Sequence, residues 1–286
     1  MVSWRMLFTT LISTADLAAH IGNAEWAIVD CRFKLDDAAW GRRDYEAEHI
    51  PGAVYAHLDA DLSSVKTGTN GRHPLPDPDT FARTLGRLGI ADGVQVVAYD
   101  QDTGMFASRL WWMLRWLGHD AAAVLNGGFA RWRAEGRPTV GGAETRTPRA
   151  FRAAIRHDMA VDADAVHGFL GEGSTRLVDA RAPERFRGDI EPLDPVAGHI
   201  PGAANHFFQT NLDASGLFRS PEELRASWEA SLAGTPPDHV VCYCGSGVTA
   251  CHNVLALEHA GITGAKLYPG SWSEWCANSE RPVEKG

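Results

Sequence analysis

The sequence predicts an α/β fold made of two tandem domains, each a mainly parallel sheet flanked by helices. Three observations carry this. Short β-branched and aromatic runs alternate with helical stretches, the pattern of parallel βαβ units. The alternation is written twice, in the same order, at separations near half the chain. Between the copies, residues 139–157 are rich in Gly, Thr and charge and carry no periodicity, as a linker would. The expected boundaries are 1–138, 139–157 and 158–286.

Taken in order, Thr9 to Ser13 reads as an edge strand, and Ser13 or Thr14 caps a helix bearing Leu17, Ala18 and Ile21. Strands follow at Ile28 to Cys31, Val94 to Tyr99 and Val124 to Asn126, then at Leu177 to Ala180, His239 to Tyr243 and Lys266 to Tyr268. The repeats are explicit. "IVDCRF" and "HIPGAVY" return as "LVDARA" and "HIPGAAN", "LNGGFARW" as "LYPGSWSEW", and "GRP" at 136–138 as "ERP" at 280–282. After Thr249 the small and apolar residues Ala250, Cys251, Val254 and Leu255 share one side of a helix that Gly261 ends. Trp111, Trp112, Trp116, Trp132, Trp272 and Trp275 fall mostly in these recurring helical stretches, which suits core packing better than base stacking.

Composition bounds the function. With 286 residues and a net charge of −9, broad binding to nucleic acid or anionic membranes is disfavoured, and an anionic substrate needs local cations. No stretch is apolar for long enough to span a membrane, and the first 22 residues lack a convincing leader. The five cysteines show neither metal-ligand spacing nor a disulfide framework, so a reducing, cytoplasmic compartment is expected, with no metal or organic cofactor.

One cysteine stands apart. Cys244 lies where the strand "VVCY" hands over to the helix beginning near Thr249, inside the turn "CGSGVT". Glycine permits positive φ there, and successive inward amides with the positive end of a helix form an anion-binding concavity that stabilises a thiolate. Cys244 is therefore a candidate nucleophile, with the amides of Gly245, Ser246, Gly247, Val248 and Thr249 as its cradle. Hydroxyls of Ser246 and Thr249 are candidate donors, though either residue also suits a turn or a helix cap. In the first copy Asp100 stands opposite Cys244, and "DQDTGM" reads as a solvated turn without thiol chemistry.

With a strand–Cys–loop–helix unit, a duplicated "HIPGA" and one copy lacking the cysteine, the chain resembles the two-domain rhodanese superfamily of sulfurtransferases over nearly its whole length. "CGSGVTA" is similar to the loop of family members that use 3-mercaptopyruvate, because it contains none of the basic side chains typical of thiosulfate-preferring members. The resemblance implies a Cys244 persulfide, charged by a small anionic donor and discharged to cyanide or a thiol, a thioredoxin-like protein among the thiols. Mercaptopyruvate is expected ahead of thiosulfate. It further implies that Ser246 works with an aspartate and a histidine from the first copy, matched by Asp59 in "HIPGAVYAHLD" and His73 in "GRHPLP", facing the loop across a domain cleft. Arg185 matches the arginine that grips the donor carboxylate, although a salt bridge to Glu184 or Asp189 would also explain it. A second arginine is usual nine residues on, where this chain has Asp194; Arg187 is a candidate replacement.

His49 and His199, present in both copies, are better explained as holding the "HIPG" turn. Two other readings stand against an enzyme of sulfur transfer. A phosphatase of the same fold would need arginine where Ala250 lies, and a non-catalytic binding module would not need the intact second loop.

Overall fold

The computed structural model describes residues 7–286; residues 1–6, part of the first copy and of the leader reading, lie outside the described residues. The chain forms two compact units. One holds the described residues through Asp61 together with Asp77–Arg156, the other Leu62–Pro76 together with His157–Gly286.

The first unit runs β1 (Leu11–Ile12), α1 (Thr14–Ala18), β2 (Trp26–Asp30), α2 (Trp40–Ala47), β3 (Ala53–Tyr55), α3 (Pro78–Arg87), β4 (Gln95–Tyr99), α4 (Ala107–Trp116), β5 (Ala122–Leu125) and α5 (Gly128–Ala134). Its strands are all parallel, in the order β1-β5-β4-β2-β3, so β1 is an edge strand as expected, and Ser13 caps α1 by accepting from the Asp16 amide. Every residue of β2, β4 and β5 is buried, which is why these strands read as unbroken apolar runs rather than alternating ones.

The second unit, after a 3₁₀ turn at His157–Met159, runs α6 (Ala163–Gly168), β6 (Arg176–Asp179), α7 (Pro183–Arg187), β7 (Ala204–Asn205), α8 (Pro221–Leu232), β8 (Val240–Tyr243), α9 (Thr249–His259), β9 (Lys266–Leu267) and α10 (Ser271–Trp275), with further 3₁₀ turns before α8 and β8. Its order, β7-β6-β8-β9, repeats that of the first sheet, and a parallel bridge from Ala160 to Leu267 takes the place of β1. Strands β3 and β7, at the end of each "HIPGA" turn, are too short to register as periodicity.

The repeated motifs turn out to be repeated bonds. The buried pairs Asp30–Arg32 and Asp179–Arg181 close at 2.7 Å in each unit. His49 Nδ1 meets the carbonyl of Tyr45 at 2.7 Å and His199 Nδ1 that of Phe186 at 2.8 Å, which is the turn-holding role expected of them. Trp132 Nε1 donates to the Pro138 carbonyl and Trp275 Nε1 to that of Pro282, both at 2.8 Å, so the "GRP" and "ERP" echo supplies acceptors for two buried indoles. All six tryptophans named above are buried.

The stretch read as a linker is tied along the first unit for most of its length. Val140 pairs with His49, Arg149 N donates to Gly86 O at 2.9 Å, and the amides of Ala154 and Arg156 donate to the carbonyls of Leu117 and Trp116. Backbone pairing without an apolar face leaves no periodic signal. Among the described residues no helix is long and apolar enough to cross a membrane.

Candidate active site

Strand β8 is buried throughout and delivers Cys244, 2% exposed, to the rim of its sheet. The turn that follows is shaped by α10. Trp272 N donates to the carbonyl of Cys244 at 2.9 Å and Ser273 N to that of Gly245 at 3.0 Å. In a planar trans peptide the N–H points opposite the C=O, so the amides of Gly245 and Ser246 are turned away from α10. Ser246 N–H accordingly lies 3.5 Å from Cys244 Sγ. The Cys244 amide donates to Ser271 Oγ at 3.0 Å, and that hydroxyl donates onward to Tyr268 O at 2.9 Å.

Ser271 makes these bonds with φ at 54°, in the left-handed region. Its counterpart in the first unit is Gly128, φ 55°, where a side chain would collide with the Asp100 carbonyl. A serine in that conformation costs of order 1 kcal/mol or more, retained here with a bond to the nucleophile's own amide.

Of the loop glycines, only Gly247 needs a positive φ (74°), and a Cβ there would lie 2.2 Å from Pro269 O. Gly245 has no such backbone requirement; the position of its missing Cβ lies 2.8 Å from Arg72 Nη2, the end of a flexible side chain. Val248 occupies the N-cap of α9 and makes no side-chain cap, which puts Thr249 inside the helix rather than at its cap. Cys251, one turn on, directs its thiol to the Gly247 carbonyl at 3.3 Å. Burial pushes the Cys242 thiol well up and that of Cys276 up to about 11.

The segment Leu62–Pro76 brings two side chains to the loop from far away in sequence. His73, 3% exposed, places Nδ1 2.8 Å from Ser246 Oγ. His73 is written in the first copy, but its segment packs with the second unit rather than with the rest of that copy. Asp59 belongs to the first unit, where its amide and that of Ala60 donate to His57 Nδ1 at 3.1 and 3.3 Å.

Next to His73, Arg72 pairs through Nη1 with Asp194 Oδ1. Asp194 also meets Arg185 Nη2 at 3.3 Å, and Arg185 reaches Glu191 at 2.6 Å. Glu191 is shared with Arg181, itself locked to Asp179. Arg185 is thus engaged by Glu191 and Asp194, in place of the Glu184 or Asp189 pairing that would have explained it as surface salt bridging. Asp189 instead takes Arg187, at 2.7 Å and with both side chains about half exposed. Sequence reasoning missed Arg72, Ser271 and Glu191. Arg72 was legible beside His73 in "GRHPLP"; the other two gave no signal.

The corresponding loop of the first unit is not a solvated turn. Asp100 is 1% exposed, and its carboxylate accepts the amides of Asp102, Gly104, Phe106 and Ala107 at 2.7 to 3.2 Å. Burial raises its pKa, and the amides of Ala107, Gly104 and Phe106 pull it part of the way back. The first copy keeps the anion cradle and fills it with its own carboxylate.

Placed beside known proteins, the two halves match the same family, described as "Rhodanese-like domain", over residues 13–135 and 162–278. The chain belongs to the rhodanese family. It is 46% identical to the Pseudomonas aeruginosa protein named "Probable 3-mercaptopyruvate sulfurtransferase", over 96% of this chain and 98% of that one. It is 34% identical to the thiosulfate sulfurtransferase of Cricetulus griseus, over 95% of this chain and 93% of that one. Among solved structures it is similar to the 3-mercaptopyruvate sulfurtransferase of Leishmania major, with a TM-score of 0.84, 32% identity, and coverage of 96% of this chain and 76% of that one. Two rhodanese-like domains in tandem, each with an all-parallel sheet, are the fold the repeats foretold.

Proposed function

We propose that this rhodanese-family chain is a sulfurtransferase that moves sulfane sulfur from 3-mercaptopyruvate through a persulfide on Cys244. The observation that carries it is the Ser246–His73 hydrogen bond at 2.8 Å, set on the loop whose Ser246 amide faces the Cys244 sulfur. The Cys244 thiolate attacks the donor sulfur, and the S–C bond breaks with its electron pair passing to the methylene carbon as the enolate of pyruvate. The donor's thiol proton then returns to that carbon, with Ser246 and His73 as the proton carriers. The remaining charge on the persulfide sits against the amides of Gly245, Ser246, Gly247, Val248 and Thr249. Cyanide or a thiol takes the outer sulfur, and the S–S electron pair restores the thiolate.

Asp59, as the resemblance implies, assists Ser246 and His73, and Arg185 holds the donor carboxylate with a charge-assisted N–H bond from Nη1, its Nε and Nη2 being held by Glu191 and Asp194. Mercaptopyruvate is favoured over thiosulfate because the loop itself carries no cationic side chain, and a small dianion gains most from cations inside the cradle. The acceptor class includes a thioredoxin-like protein. Five free, buried cysteines accord with a cytoplasmic, reducing setting. Steady-state kinetics with each donor and cyanide, read as thiocyanate, tests the choice. A higher kcat/KM for mercaptopyruvate is expected, and a higher value for thiosulfate overturns it.

A further inference from the structure

We propose that Arg72 is a donor-binding residue, the second guanidinium of an anion site that it forms with Arg185 over the backbone of Gly245. The inference rests on the reading of Cys244 as the sulfur carrier, and it names a residue from a segment some hundred residues before Arg185.

The geometry comes first. The position a Gly245 Cβ would occupy lies 2.8 Å from Arg72 Nη2 and 3.5 and 3.6 Å from Arg185 Nη1 and Nη2. Two like charges therefore converge on one peptide next to the nucleophile. Convergence of this kind is unfavourable unless an anion lies between them, and Asp194 does, with one carboxylate oxygen on each guanidinium.

The layering decides what the pair can do. Asp194 and Glu191 are 3% exposed, whereas Arg185 is 17% and Arg72 26% exposed at their side chains. The acids lie beneath and the cations face outward. Arg185 commits Nε and Nη2 to Glu191 and Asp194, and Arg72 commits Nη1 to Asp194. That leaves Arg185 Nη1 and Arg72 Nη2 as the edges turned to Gly245. A carboxylate set there meets N–H groups from two side chains that are already held in place, so little rotamer freedom is lost on binding.

The charge balance sets the ligand class. Arg72, Arg181 and Arg185 are matched by Asp179, Glu191 and Asp194 in one connected network. A neutral network offers hydrogen-bond donors rather than a deep positive well, which fits a single carboxylate better than a compact dianion. The absence of arginine at 194 is thereby explained. Here the acid at 194 positions an arginine supplied by the segment that also supplies His73.

The test pairs turnover with a probe that needs no donor. In wild type, Arg72→Ala and Arg72→Lys, Cys244 is alkylated with neutral iodoacetamide and with iodoacetate, which carries a carboxylate, and kcat and KM for mercaptopyruvate are measured. Arg72→Ala should lower the iodoacetate-to-iodoacetamide rate ratio by about tenfold and raise KM by about 10- to 100-fold, the loss typical of a charge-assisted contact. The iodoacetamide rate should stay near wild type, which also reports an intact loop. Arg72→Lys, which keeps the charge without the fork, should fall between and serves as the reading should the alanine variant fold poorly. If Arg72→Ala changes neither ratio nor KM, or if Arg72→Lys loses as much as alanine through a slowed iodoacetamide reaction, the proposal is overturned. A wild-type enzyme that ignores mercaptopyruvate while the ratio still depends on Arg72 would sink the donor reading and leave the anion site standing.

Discussion

His73 Nδ1 lies 2.8 Å from Ser246 Oγ across 173 residues of sequence. The bond joins a segment of 15 residues, Leu62–Pro76, to the loop that carries Cys244. Because one partner of the pair serves through the other, their contributions should not add. Ser246→Ala and His73→Asn should each lower kcat by about 10²-fold, and the double variant should lose little more than the worse single one. Two losses that multiply in full would separate the residues functionally.

Ser271 predicts a split between stability and rate. Ser271→Gly relieves the positive φ but removes the hydroxyl from the Cys244 amide and the Tyr268 carbonyl. The two effects offset, so its urea midpoint should stay near wild type while turnover falls. Ser271→Ala strands the same buried N–H without any backbone relief, and should cost about 1–3 kcal/mol. Equal stability of the two variants would contradict this account of the residue.

In the first unit, Asp100→Ala leaves four amides without their carboxylate acceptor. Unsatisfied buried donors cost about 1–3 kcal/mol each before relaxation, so a loss of at least about 3 kcal/mol in urea unfolding is expected. A change below about 1 kcal/mol would mean that water replaces the carboxylate.

Acid sensitivity follows from His206, which burial between Trp228, Ser231 and Asn211 pushes down to about 4. The folded group stays neutral where the unfolded one, near 6.5, takes up a proton. Stability is therefore full above about pH 6.5 and is lost as pH falls toward 4, by roughly 3 kcal/mol from this group. His206→Gln should reduce the proton uptake on unfolding by nearly one between those limits. An unchanged pH slope in the variant would refute the assignment.

How much of this was legible beforehand depended on whether a feature is local. The loop around Cys244, the strands that are buried on both faces and the duplicated turns are written in contiguous residues, and they were read with ends displaced by only one or two positions. The pairing of Arg72 with Asp194 was not, because ion pairs between distant segments leave no period in the sequence. Asp100 was misread for a related reason. An acid in a Gly-containing turn looks solvated until the amides that surround it are seen to converge on it. Arg185 lay between the two cases: its residue type and position fitted the family motif, while its partners Glu191 and Asp194 emerged only from the folded arrangement.

The central claim is that sulfur is carried on Cys244, and intact-protein mass spectrometry tests it most directly. The protein is treated with mercaptopyruvate in the absence of an acceptor, then with cyanide. The account predicts a gain of one sulfur atom in the wild type, Cys242→Ser and Cys251→Ser, its complete removal by cyanide, and no gain in Cys244→Ser. A sulfur adduct on Cys244→Ser would contradict it.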